Sequence, residues 1–298
     1  MSNFTLRQLR YFEALARLGH FGRAAEACAI SQPAISMQIR ELEEALGSDL
    51  FERDARRVRL TDLGEKFAVR VGNILRAVDE LEDVARAARN RFSGRLRIGV
   101  IPTVAPYLLP AVIDGLARLH PDLDIRIRES ITSRLIEELS EGRLDAAIVA
   151  LPVSERSLTE MPLFEETFVL VRPRDDEGKP VPDREALREM RLLLLEEGHC
   201  FRDQALSFCE MRAGRPRELL EGSALSTLVQ MVGAGIGVTL IPEMAVGVET
   251  RSAAVSIARF EGRQPSRTIG MVWRRTSPLA GRLDEIGTLV RRAAGRDG

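Results

Sequence analysis

A chain of 298 residues has room for two or three domains, and its 45% hydrophobic and 29% charged residues describe a soluble globular protein. A formal net charge of −1 excludes a global basic field, so any contact with nucleic acid must come from a local patch. Three cysteines argue against a structural disulfide framework. No basic start followed by an apolar segment opens the chain, and the longest apolar run, around Val232 to Pro242, is broken by glycines short of a membrane span. A cytoplasmic protein with no membrane contact is expected, any disulfide being transient.

The first sixty residues read as short helices. Leu6, Leu9, Phe12 and Ala16 form one helical stripe ended by Gly19, and Phe21, Ala24 and Ala25 form a shorter one. Ser31 caps a third helix in which Ile35, Ile39, Leu42 and Leu46 recur at spacings of four, three and four, and Gly47 stops it. Residues 50–53 and 56–60 then alternate as a small two-stranded wing. With the apolar positions of the third helix facing a core, Pro33, Met37 and Arg40 point outward, flanked by Gln32, Ser36 and Gln38. Glutamine and arginine pair bidentately with adenine and guanine edges, and Arg53, Arg56, Arg57 and Arg59 on the wing suit backbone phosphates. The pattern alone fits an ordinary three-helix domain with solvated arginines equally well.

From Thr61 a long helix is predicted. Its apolar positions Phe67, Val71, Ile74, Val78, Leu81, Ala85 and Ala88 step by four and three, which is an a/d heptad seam that buries itself against a second copy. Packing on its own domain is the alternative. Beyond Ser93-Gly94, strands and helices alternate. Strands are predicted near 96–100, 123–127, 146–151, 167–171, 192–195, 237–241 and 268–273, with helices through 108–119, 133–142 and after Ser223. This order implies open sheets of parallel type, with ligands outside the carboxyl ends of the strands. The cluster Gly233-Ala234-Gly235-Ile236-Gly237 precedes a strand instead of following one, so it reads as a helix stop and not a dinucleotide fingerprint.

Chemistry concentrates around two thiols, Cys200 directly after His199, and Cys209 nine positions on. The thiolate is the reactive form, nearby positive charge raises its population, and a second thiol turns oxidation into a reversible disulfide. Across a helical segment nine residues put the two Cα atoms roughly 13 Å apart, while a disulfide needs them within about 7 Å. Bond formation would therefore refold residues 202–208. By spacing alone the pair is more often two buried apolar residues than a redox couple. Cys28 reads as a small core residue, His20 and His120 as helix-end groups, and Glu165-Glu166 and Glu196-Glu197 as no recognisable metal or glycosidase site.

The runs Leu9-Arg10-Tyr11-Phe12, Phe21-Gly22-Arg23-Ala24-Ala25, Ser31-Gln32-Pro33-Ala34-Ile35-Ser36-Met37-Gln38-Ile39-Arg40-Glu41-Leu42-Glu43 and Leu50-Phe51-Glu52-Arg53 resemble the LysR-type transcriptional regulators, and the likeness extends along the whole chain. The resemblance implies an α/β protein in three parts: a winged helix-turn-helix (1–60), a dimerising linker helix (61–92, with Thr61 and Gly64 at its start) and a two-lobed regulatory domain like periplasmic binding proteins (93–298). Lobe I would hold residues 93–166 with 268–298, and lobe II residues 167–267. Gln32, Pro33 and Ser36 would lie at the DNA.

Within the family, Gly198-His199-Cys200-Phe201-Arg202-Asp203-Gln204-Ala205 through Cys209, residues 101–110 and Arg267-Thr268-Ile269-Gly270 resemble the peroxide-sensing members. That likeness implies a peroxidatic Cys200 and a resolving Cys209, with Thr103, Thr132, His199, Asp203 and Arg267 lining a peroxide pocket. His199 and Arg267, if close, would favour the thiolate, and a hydroxyl such as Thr103 can both donate to and accept from bound peroxide. It further implies double-stranded promoter DNA, hydrogen peroxide, further copies of the chain (dimer or tetramer), RNA polymerase and a thiol reductant such as glutaredoxin or thioredoxin as partners, with no cofactor, no metal and no enzymatic turnover. Two alternatives remain open at this point: a regulator answering a small effector between the lobes with incidental cysteines, and a thiol peroxidase, for which a DNA-reading head has no explanation.

Overall fold

The computed structural model describes residues 4–54, 57–87, 94–208, 220–262 and 264–295. They fall into two compact units, Met1–Ala85 and Arg86–Gly298. The first contains α1 (Leu6–Leu18), α2 (Phe21–Ala27), α3 (Gln32–Leu46), β1 (Phe51–Asp54), β2 (Arg57–Leu60) and α4 (Asp62–Ala87). Thr5 opens α1 with a capping box to Gln8, and Gly19 closes it at φ 60°, a conformation that costs glycine nothing. His20 accepts the Gly22 and Arg23 N–H groups at the start of α2, and Ser31 accepts from Ala34 at the start of α3. Leu9, Phe12, Leu15, Ala24, Ile35, Ile39 and Leu42 make the core. The Glu43 carboxylate, buried at the end of α3, accepts from the Leu50 and Phe51 N–H groups at 2.9 and 3.2 Å and so ties the wing to that helix.

One expectation needs correcting here. Val71, assigned to an intersubunit seam, is 1% exposed within its own chain, and Phe67 stacks edge-on against Phe12 with ring centroids 5.1 Å apart. The first two seam positions thus serve the winged-helix core, whereas Ile74 and Leu81 stay exposed at 43% and 68%. Gly64, in the first turn of α4, approaches the wing so closely that an added Cβ would stand 2.1 Å from the Leu50 carbonyl oxygen. Backbone cannot yield as a side-chain tip does. Gly64→Ala should cost this unit about 3 kcal/mol, read as a lower denaturation midpoint.

The second unit runs β3 (Gly94–Val100), α5 (Ala105–Leu119), β4 (Leu123–Glu129), α6 (Thr132–Ser140), β5 (Ala146–Leu151), β6 (Leu158–Pro173), α7 (Arg184–Glu189), β7 (Leu193–Leu195), α8 (Cys200–Phe208), β8 (Leu220–Gly222), α9 (Leu225–Gly233), β9 (Thr239–Pro242), α10 (Val246–Glu249), β10 (Val255–Ala258), β11 (Ser266–Arg274) and α11 (Ala280–Ala293). Among the described residues its main sheet has the order β10-β6-β11-β5-β3-β4, with β9 also on β6. Within that sheet β3 pairs in parallel with β4 and β5, whereas β11 runs antiparallel to β5 and β6, and β6 antiparallel to β9 and β10; β7 and β8 form a separate parallel pair. Where parallel sheets were expected, the main sheet is therefore mixed. The antiparallel β11 lies between β5 and β6, which run in the same direction.

Two apolar cores result. One gathers Leu96, Ile98, Val112, Leu116, Ile148, Ile269, Met271 and Ile286. The other gathers Phe168, Leu170, Leu193, Leu195, Phe201, Leu228, Val232 and Leu240. The sixteen-residue β6 contributes Leu163 and Phe164 to the first and Phe168 to Val171 to the second, so its middle, at Glu165-Glu166, lies where the two cores meet.

Candidate functional site

On α3, Gln32, Pro33, Met37 and Arg40 are exposed, Met37 at 55%, while Ser36 and Gln38 are half-buried. The Gln38 amide donates to the Glu41 carboxylate at 2.7 Å, so one of its two N–H groups is engaged. Arg59 on β2 is exposed. Arg56 lies outside the described residues, as does the side chain of Arg53.

Cys200 is the first residue of α8, half-buried, with a free thiol, and it packs against the first core although its helix belongs to the second. Gly198, at φ 95°, turns the chain into that helix, and a Cβ there would stand 3.0 Å from the Ile131 side chain. Cys200 borders a cleft of about 610 Å³ that Thr132, Leu151, Pro152, Val153, Asp203, Gln204 and Arg267 also line. Thr132 and Cys200 both begin helices, where backbone N–H groups lack intrahelical partners and the dipole favours negative charge. The Thr132 Oγ1 and Gln204 Oε1 atoms are buried without a hydrogen-bond partner among the described residues. Such groups suit a small polar molecule in the cleft.

Arg267 is the centre of the polar network. Its Nε and Nη2 donate to Glu166 Oε2 at 2.9 and 2.7 Å, its Nη1 to Thr103 Oγ1 at 2.9 Å, and its Nη2 to the Thr103 carbonyl at 3.2 Å. The guanidinium carbon lies 5.8 and 5.3 Å from the Phe168 and Phe201 ring centroids, and both members of the ion pair have wholly buried side chains. Thr103 and Arg267, 164 positions apart in sequence, thus meet directly. Thr132, Cys200, Asp203 and Arg267 share the cleft, with Asp203 exposed on its rim. Thr103 joins them through Arg267, and His199 through its peptide bond to Cys200.

Two electrostatic expectations change. The Arg267 charge is met by Glu166, so it does not stand as a lone cation beside the thiol. Burial pushes the His199 imidazole below its ordinary value of 6.5, against the opposing pull of Glu196, so near neutral pH it favours the neutral form. A depressed pKa in the folded state means that the unfolded chain binds the proton more readily. The associated stability is whole above about pH 6.5 and is lost as the pH falls through the lower folded value. His199→Gln should flatten the decline of melting temperature from about pH 7.5 to about pH 5.

Sequence reasoning missed three residues. Glu166 is the partner of Arg267. Arg202, buried, donates from Nη1 to the Leu195 carbonyl at 2.9 Å and to Glu221 at 2.6 Å, fastening α8 to β7 and β8. Tyr107, one helical turn after Thr103, leans on the second core and donates to Glu249 at 2.6 Å; burial and that carboxylate hold its phenol protonated. Cys209 lies outside the described residues.

Residues 6–65 match the family described as bacterial regulatory helix-turn-helix protein, lysR family, and residues 89–295 match the LysR substrate binding domain. A probable hydrogen peroxide-inducible genes activator from Streptomyces viridosporus is 44% identical, with 97% of this chain and 94% of the relative covered. Among solved structures, a full-length OxyR cysteine-to-aspartate variant from Pseudomonas aeruginosa matches with TM-score 0.75 at 36% identity, covering 98% of this chain and 96% of that one. A hydrogen peroxide-bound cysteine-to-serine variant of Corynebacterium glutamicum OxyR matches with TM-score 0.68 at 34% identity, covering 98% and 92%.

Proposed function

We propose, since the chain belongs to the LysR family of bacterial transcriptional regulators, that it is a peroxide-responsive DNA-binding regulator of the OxyR kind. The observation that carries this reading is the free Cys200 thiol at the start of α8, facing a cleft it shares with Arg267 and two buried, unpartnered polar atoms.

The thiolate sulfur of Cys200 attacks one peroxide oxygen. An S–O bond forms as the O–O bond breaks, sulfur gives up two electrons, and the departing hydroxide takes a proton and leaves as water. Cys209 then attacks the sulfenic acid, forming the disulfide and releasing a second water. The helix makes this a switch. Running unbroken from Cys200 to Phe208, α8 holds those two Cα atoms about 12 Å apart. One further residue recovers at most about 3.8 Å, and a disulfide needs Cα atoms within about 7 Å. Closing the bond therefore takes α8 apart. It must release Phe201 from Phe168, whose ring centroids are 4.8 Å apart, and Arg202 from Glu221. The rearranged lobe then reorients the subunits and the spacing of their DNA-reading heads.

In this reading the chain divides into a DNA-binding part at 1–60, a linker at 61–92 and a regulatory part at 93–298, with lobes meeting near residues 166 and 267. Gln32, Pro33, Ser36, Met37 and Arg40 contact promoter DNA, with Arg53, Arg56 and Arg59 on phosphates. Ile74, Val78 and Leu81 join the copies in a dimer or tetramer. The protein works in the cytoplasm, contacts RNA polymerase, is reset by a thiol reductant such as glutaredoxin or thioredoxin, and consumes peroxide once per oxidation instead of turning over as an enzyme.

Peptide mapping by mass spectrometry tests this after about one equivalent of hydrogen peroxide meets fully reduced protein without air. A Cys200–Cys209 cross-link that leaves Cys28 free is expected. Persistence of both reduced Cys200 and peroxide would overturn the reading and turn attention to a small effector in the cleft.

A further inference from the structure

Four of the five guanidinium N–H groups of Arg267 are spent on protein: Nε and one Nη2 N–H on Glu166, the other Nη2 N–H on the Thr103 carbonyl, and one Nη1 N–H on Thr103 Oγ1. Among the described residues a single N–H, on Nη1, is left without a partner, and Arg267 is one of the residues that line the cleft. Thr103, by accepting from Nη1, keeps its own hydroxyl hydrogen for another acceptor. Which edge of the guanidinium serves the cleft is decided by Glu166, because its carboxylate occupies the opposite edge. Glu166 itself is held at the middle of β6, wholly buried and paired across the sheet with Arg267.

We infer that Glu166 is a positioning residue for the peroxide step: it clamps the Arg267 guanidinium so that one Nη1 N–H and the Thr103 hydroxyl face the peroxide oxygen that leaves as hydroxide when the O–O bond breaks. The inference rests on the peroxide reading above. Developing negative charge is stabilised by donors fixed before the reaction, and a donor displaced by about 1 Å loses much of its effect. Glu166 also cancels the guanidinium charge, so its removal leaves a net positive group near the thiol. Other ionisable groups around the cluster are Tyr107 of α5, Glu165 beside it on β6, His199 and Asp203 at the start of α8, and Glu249 of α10.

The test uses full-length Cys209→Ser protein, in which oxidation stops at the sulfenic acid. The rate of Cys200 oxidation by hydrogen peroxide is followed across pH, alone and with Glu166→Gln or Glu166→Asp, with far-UV circular dichroism as the check on folding. Glu166→Gln should lower the plateau rate roughly 10- to 100-fold and move the rising limb of the profile to lower pH. Glu166→Asp, which keeps the charge but shortens the reach, should lower the plateau and leave the limb where it is. Parental plateaus in both variants, or a moved limb in Glu166→Gln with no loss of plateau, would overturn the inference. If Glu166→Gln does not fold, Glu166→Asp decides alone. Should the Cys209→Ser parent itself fail to consume peroxide, it is the peroxide reading that falls.

Discussion

Cys200→Ser should lose the peroxide response outright, by at least about a thousandfold in rate. A serine hydroxyl is nearly isosteric with the thiol but cannot take the oxygen as a sulfenic acid, so neither the S–O bond nor the later disulfide can form. Because Cys200 is only half-buried and packs as a small group against the first core, the exchange leaves the fold in place. Stopped-flow measurement of peroxide loss, with intact-mass readout, checks it. Cys28→Ser is the control. Cys28 ends α2 in the other unit, and burial pushes its thiol up, away from the reactive form. Its replacement should leave oxidation at Cys200 unchanged. Equal loss in both variants, or in neither, would detach the response from Cys200.

The helix boundaries were legible because caps are local. Ser31, Gly19 and Gly47 act within a turn of themselves, and each sits where its residue type demands. The buried strand Ala146–Leu151 announced itself as an uninterrupted apolar run. What escaped was non-local. Periodicity shows that Val71 has an apolar neighbour but not whose, and the neighbour is its own winged-helix core. The first half of β6 was missed because its pairing with β11 shifts register at Ile269/Gly270, which breaks the two-residue alternation near Pro162. Strands as short as Leu220–Gly222 carry too little pattern to read. In the candidate site, likeness to relatives grouped Thr103 with Arg267 but left Glu166 as half of an acidic pair. A signal was present: Glu166 is in phase with Phe164 and Phe168, two residues to either side, on the buried face of β6. An acid in that phase requires a buried cation, and Arg267 answers it in the same phase as Ile269 and Met271 on the neighbouring strand.

Arg267→Met should destabilise the regulatory unit by about 3–5 kcal/mol, because it removes the cation that offsets the buried Glu166 carboxylate. Both side chains of the pair are wholly excluded from solvent, so the ion pair is desolvated at both ends. The penalty carries its own pH signature. A buried carboxylate that has lost its countercharge is pushed above its usual range, the folded state then binds the proton more readily than the unfolded one, and the deficit shrinks as pH falls through that raised value. Adding Glu166→Gln removes the stranded charge, so the double variant should recover most of the stability, short of what the guanidinium gains against Phe168 and Phe201. Denaturant melts of the four proteins at neutral and acid pH complete the cycle. A coupling energy near zero would mean that the pair contributes no stability. Strong coupling with recovered stability but no recovered peroxide chemistry would separate the two roles of Arg267: its charge is needed only because Glu166 is there, whereas its donors are needed for the reaction.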